Sequence, residues 1–70
     1  MSIGMIVNVD KNEVTKRNLY TIKTKYGIEH YETMASKSDD RIIKGVMVEL
    51  DWYTNLYTTM VNSIKYMEAC

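Results

Sequence analysis

LYTIKTKYGIEHYET, residues 19–33, is the stretch on which the fold of this chain turns. Two runs rich in β-branched and aromatic residues, 19–24 and 28–33, flank Lys25, Tyr26 and Gly27. Such runs suit a pleated, half-buried surface. A three-residue connection with its glycine in the left-handed region joins them as a hairpin. That loop sets Thr24 opposite Ile28. Tyr20, Ile22, Ile28 and His30 then share one face, the expected core side. Thr21, Lys23, Glu29 and Tyr31 share the other, with Lys23 directly across from Glu29. An opposite-charge pair in that position contributes about 0.2–1 kcal/mol. A two-residue loop would turn the second strand over, moving Tyr31 to the face of Ile22 and His30 to that of Lys23. Tyrosine is a poor residue for a two-residue primed turn, which favours the three-residue loop.

Upstream, residues 3–9 alternate as a strand with Ile3, Met5, Val7 and Val9 on one face. The polar residues 10–18 follow and are expected to form a mobile loop. Downstream, residues 35–40 (ASKSDD) are a polar connector able to cap a short helical turn before Arg41, Ile42 and Ile43. Gly45 breaks that segment. Val46, Val48 and Leu50 alternate with Met47, Glu49 and Asp51, which reads as a fourth strand.

The last twenty residues admit two readings. Tyr53, Leu56, Tyr57, Met60, Val61, Ile64 and Met67 recur at helical spacing, an amphipathic helix pattern. Thr54, Asn55, Thr58, Thr59, Val61, Asn62 and Ser63 are weak helix formers and favour a hairpin turning at residues 53–55, followed by a strand. The strand is the preferred reading. The fold expectation is therefore mainly β, or α+β if the C-terminal segment is a helix: one small domain over residues 1–70, a five-stranded barrel of OB or SH3-like type. The layout resembles the small S1-type OB-fold of bacterial translation initiation factor one. The similar features are the Gly4 to Val9 stretch, Tyr20 and Ile22 ahead of the glycine turn at Gly27, and RIIKGVMVEL at residues 41–50. The resemblance implies a barrel and is a statement about fold.

Composition narrows the functions. Nine basic and nine acidic side chains give a formal net charge of zero. That argues against attachment to nucleic acid or anionic lipid by bulk charge. Hydrophobic residues make up 46% and charged residues 26%, a globular balance. The single cysteine, Cys70, provides neither a disulfide framework nor a cysteine zinc site, which suits a reducing intracellular setting. No apolar run approaches the roughly 20 residues of a membrane helix. The first eight residues are too short and uncharged for a signal peptide, so a cytoplasmic location is expected. The one histidine, His30, has no HxxxH or HExxH partner, and no phosphate-binding glycine loop or GxSxG is present. No enzyme, metal or cofactor is expected. Lys, Asn, Ile, Tyr and Met are all common, the signature of an AT-rich genome such as those of many phages and low-GC bacteria.

Two clusters remain as candidate sites. Residues 14–27 hold Lys16, Arg17, Lys23 and Lys25 without an acid, beside Tyr20 and Tyr26. Basic groups neutralise phosphate and rings stack on bases at about 1–3 kcal/mol each. Lys16, Arg17, Lys23, Lys25, Tyr26 and Tyr31 are thus candidates for a single-stranded nucleic-acid face. The alternative is a solvated hairpin whose lysines discourage edge pairing, and Glu29 and Glu32 would repel phosphate. The second cluster is Trp52, Tyr53, Leu56, Tyr57, Met60, Ile64 and Met67. A small domain has too little interior for all of them, and aromatics and methionine are enriched at interfaces. Trp52, Tyr53, Tyr57 and Met60 are the candidate partner-binding residues. Asp39 and Asp40 with Glu49 or Asp51 could hold a cation, though a solvated acidic turn is the plainer reading. The functional expectation is a non-enzymatic protein that binds a protein partner, a second copy of itself included. A phage or mobile-element accessory factor acting on a host machine would have this character. The alternative is an OB-type single-stranded nucleic-acid binder.

Overall fold

The computed structural model describes residues 2–67. Cys70, on which the lack of an internal disulfide was argued, lies outside them. Five strands are formed: β1 (Ser2–Asn12), β2 (Arg17–Thr24), β3 (Gly27–Met34), β4 (Met47–Thr54) and β5 (Thr59–Tyr66). A 3-10 turn (Ala35–Lys37) begins the connector from β3 to β4, where a short helical turn was expected. Every pairing is antiparallel, in the order β3-β2-β1-β4-β5. β1 serves both halves: residues 2–5 pair with β4, and residues 5–12 with β2. β3 and β5 approach one another on the remaining side. The sheet thus curls into a small, nearly closed barrel, mainly β as the sequence suggests.

The barrel interior is filled by Ile6, Tyr20, Ile22, Ile42, Val48, Leu50 and Val61, with Val9, Tyr31, Val46, Trp52, Ile64 and Tyr66 packed around them. Val48 and Leu50 point inward, as the alternation in β4 predicts. β1 departs from its predicted phase. Gly4 and Ile6 face the core, while Ile3 and Met5 are 41% and 38% exposed. A bulge between Ile6 and Asn8 leaves Val7 as an extra residue. It shifts the alternation by one, so that Ile6 and Val9 both turn inward. Gly4 occupies a place no side chain would fit. A Cβ there would lie 2.5 Å from Ile22 Cγ2 and 3.3 Å from Leu50 Cδ1.

The β2–β3 hairpin takes the other register. Thr24 lies opposite Gly27, Ile22 opposite Glu29 and Tyr20 opposite Tyr31, around the two-residue turn Lys25-Tyr26. Neither turn residue has positive φ; that conformation falls to Gly27 at +125°. The Thr24 hydroxyl accepts the Tyr26 N–H and donates to the Gly27 carbonyl, both at 3.1 Å, which closes the turn without a primed-turn residue. Strand β3 is therefore turned over relative to the three-residue expectation. Ile28 and His30 are on the outside, Glu29 and Tyr31 face the interior, and Lys23 stands across from Ile28 instead of Glu29.

Residues 10–18 are more ordered than a mobile loop. β1 runs on to Asn12 and β2 starts at Arg17. The Asn12 side-chain oxygen accepts the N–H groups of Val14 and Thr15 at 3.0 and 3.1 Å. Asn18 is 4% exposed, and its amide donates to Ser38 Oγ at 2.9 Å, tying the connector to β2. The C-terminal segment is strand, not helix. Its hairpin turns at residues 55–58, slightly later than expected, where Asn55 Oδ1 accepts the N–H groups of Tyr57 and Thr58.

Candidate interaction surface

The turns Lys25-Tyr26 and 55–58 project from the same end of the barrel. Met5 of β1 lies across from Lys23 near the end of β2, while Ser2 lies across from Leu50, beyond which β4 continues to Thr54. Continued at the same register, the Lys25-Tyr26 turn comes level with Ser2 and Ile3 at the start of β1, and the β4–β5 hairpin extends past it. The two hairpins meet through a ring contact: the Tyr26 and Trp52 centroids are 6.3 Å apart at an interplanar angle of 82°, an edge-to-face pair. Both rings line a groove of about 440 Å³ together with Glu29, Thr54 and Thr59. It lies on the side where β3 and β5 approach without pairing.

The four partner-binding candidates fall around this end. Trp52 faces the interior and is half-buried. The register shift between Asp51 and Trp52 leaves Asn62 as an extra residue in β5, and Tyr53 and Met60 form a cross-strand pair on the outside, 50% and 51% exposed. Tyr57 is in the turn at 92%, beside Leu56 at 94%. Tyr26 adds a 71% exposed ring from the neighbouring hairpin.

The nucleic-acid candidates do not converge in this way. Tyr31 is inside, stacked on Tyr20 with centroids 6.3 Å apart and planes 22° from parallel, because the hairpin register turns β3 over. Arg17 is ion-paired with Glu32, both about half-exposed; such a pair contributes roughly 0–1 kcal/mol. Lys16, in the β1–β2 turn with φ 60°, stands at the opposite end of β2 from Lys25, roughly 30 Å away at strand rise. Only Lys23, Lys25 and Tyr26 share one end of the hairpin. The Lys25 ammonium lies 5.1 Å from the centroid of the Tyr26 ring.

The two residues that complete this surface, Glu29 and Tyr26 as a neighbour of Trp52, were assigned elsewhere by sequence. The two-residue loop contains the signal for Glu29, since it alone puts Glu29 on the core side. The Tyr26–Trp52 contact links elements 26 residues apart and has no spacing signature.

The far end of the barrel is built differently. Asp39 accepts from the Arg41 side chain at 2.8 and 3.1 Å and from its backbone N–H at 3.0 Å. The same guanidinium lies 4.5 Å over the Tyr66 ring. The Arg41 side-chain hydrogen bonds, followed by its backbone N–H, hold the Asp39 carboxyl below its ordinary value of 3.8. Arg41 thus occupies the carboxylate that the cation reading would have used. Among the described residues no group of three or more His, Cys, Asp or Glu could hold a metal ion. No helix among them is long and apolar enough to cross a membrane.

No family model matches this chain, and neither does any curated protein or solved structure.

Proposed function

We propose that this protein is a non-enzymatic interaction module that binds a protein partner through the end of the barrel carrying its two hairpin turns. The observation behind this is the concentration there of Tyr26, Tyr53, Leu56, Tyr57 and Met60, each at least half exposed. Exposed aromatic rings and methionine are enriched at docking sites, and each Tyr ring can contribute on the order of 150–250 Å² of burial to an interface. Tyr57 and Leu56 gain nothing from the fold itself, since they stand almost wholly in solvent. A second copy of the chain is one partner of this character, and an accessory factor that docks on a larger intracellular machine is the setting the sequence suggests.

We read the barrel as OB type. The order β3-β2-β1-β4-β5 with β3 next to β5 is that of a five-stranded Greek-key barrel. OB barrels recognise ligands with the face of strands two and three and with the loops after strands one and four. The 55–58 turn is the second of those loops. This favours one further reading, single-stranded nucleic acid laid across Lys23, Lys25 and Tyr26.

Sedimentation equilibrium of the wild type and of Trp52→Ala and Tyr57→Ala, together with capture of partners by each, tests the first reading. Both variants are expected to fold and to lose self-association or capture. Unchanged behaviour in both would remove this surface. Anisotropy titration of labelled single-stranded DNA and RNA at two salt concentrations tests the second. Micromolar binding that falls steeply with salt and is weakened by Lys23→Glu would put nucleic acid in place of protein.

A further inference from the structure

Glu29 is a carboxylate on the core-facing side of β3, directly opposite the fully buried Ile22. No basic side chain among the described residues pairs with it. A charge so placed must reach either water or a cation, and Glu29 does so through the groove it shares with Tyr26, Trp52, Thr54 and Thr59. The groove is therefore lined by two aromatic rings set edge-to-face, one carboxylate and two threonines. Its volume of about 440 Å³ is within the common range for ligand clefts, about 300–1,000 Å³. Aromatic faces attract cations; the Lys25 ammonium lies against the Tyr26 ring, 5.1 Å from its centroid, so a ligand cation competes with it there. A phosphate or a nucleic-acid backbone phosphodiester would meet the Glu29 charge instead. The planar guanidinium of arginine stacks on a ring and donates two parallel hydrogen bonds to a carboxylate, which an ammonium cannot do.

We infer that the groove is a binding site for an arginine side chain presented by the partner protein. This rests on the protein-partner reading and adds the chemistry of the residue that is recognised. The guanidinium stacks on one of the two rings, which stand nearly perpendicular to each other, and is held by the Glu29 carboxylate.

Trp52 is the only tryptophan in the chain, so its fluorescence reports on this groove directly. The probes are a capped Gly-Ser-Arg-Ser-Gly peptide and the same peptide with citrulline, which keeps the planar shape and loses the charge. The arginine peptide is expected to change Trp52 emission saturably in the millimolar range, and the citrulline peptide to bind roughly tenfold or more weakly. Glu29→Gln should abolish that preference, and Tyr26→Ala, an exposed turn position, should weaken binding of the arginine peptide without unfolding the chain. No saturable change with the arginine peptide overturns the inference, as does equal binding of the two peptides or an unchanged preference in Glu29→Gln. If this happens while Tyr57→Ala still destroys self-association or capture, the arginine site falls and the interaction surface stands. A Trp52 response to an oligothymidylate but not to the arginine peptide overturns both.

Discussion

Replacing Gly4 by alanine adds one methyl group to the centre of the barrel, and its cost follows from three distances. The new Cβ would lie 2.5 Å from Ile22 Cγ2, 3.2 Å from the Lys23 carbonyl oxygen and 3.3 Å from Leu50 Cδ1. Carbon atoms attract best at about 3.5–4.0 Å, so the first contact is about 1 Å too short. Ile22 is 0% exposed and has no free space to turn into. Overpacking of this kind costs about 1–3 kcal/mol. Gly4 has no positive φ, so alanine also gains about 0.4–1 kcal/mol by restricting the unfolded chain. The net expectation is a loss of about 1–2 kcal/mol, a fall in Tm of roughly 5–15 °C for a domain of this size. Chemical and thermal denaturation followed by circular dichroism measure it. Ile22→Leu sharpens the test, because leucine lacks the Cγ2 methyl that makes the clash. In that background Gly4→Ala should cost less by more than the roughly 0.5 kcal/mol allowed for independent sites. A neutral Gly4→Ala, or strict additivity with Ile22→Leu, would refute the packing of β1 against β2 described above.

Further outcomes follow from single residues. Lys16 holds a left-handed conformation that costs a side-chain-bearing residue roughly 1–2 kcal/mol; Lys16→Gly should raise Tm, after the loss from greater unfolded-state freedom, and a lower Tm would show that its side chain matters more than its φ. Asn18→Ala removes the buried bond to Ser38 Oγ and should cost about 1–2 kcal/mol in denaturant unfolding; no change would mean that the Ala35 N–H to Lys16 carbonyl bond and the packing of Ile42 anchor the connector. The Asp39 carboxyl should titrate below 3.8 in an NMR pH series, because Arg41 favours its charged form. Its contribution is then full above 3.8 and disappears as pH falls through the lowered value. Arg41→Gln should return Asp39 towards its ordinary titration.

How much of this was legible in the sequence differs element by element. Alternation located β4 and its inward Val48 and Leu50, since a strand with one buried face writes its register into every second residue. The weak helix formers between Thr54 and Ser63 identified β5 over the helical spacing, because Thr and Val suit a strand and Asn suits the turn before it. The misses share a cause: a backbone irregularity that side-chain pattern does not record. The bulge at Val7 reversed the phase of β1, leaving Ile3 and Met5 outside. The placement of positive φ on Gly27 instead of within the turn reversed β3, which took Tyr31 into the core and brought Glu29 to the groove. Asn18 looked like loop because it is polar, yet its single bond to Ser38 across 20 residues made it a buried anchor. The hairpin-end surface was half readable: an excess of Trp, Tyr and Met over available interior pointed to Tyr53, Tyr57 and Met60, whereas the contact of Tyr26 with Trp52 needed the barrel to close.

The double pairing of β1 also orders events in time. Its bonds to β2, and those of β2 to β3, join neighbours along the chain and can form as soon as two turns close. The β4–β5 hairpin is equally local. The pairs from Ser2–Leu50 to Met5–Met47 unite the two pieces, with the Ile6 N–H to Val46 carbonyl and Gly45 N–H to Ile6 carbonyl bonds beside them, across about forty residues or more. Loop closure on that scale is the slow, entropically opposed part of assembling a β protein. Folding should therefore wait on the docking of one finished hairpin onto one finished three-stranded meander. Substitutions at that seam would then slow refolding, while those within either piece would chiefly hasten unfolding.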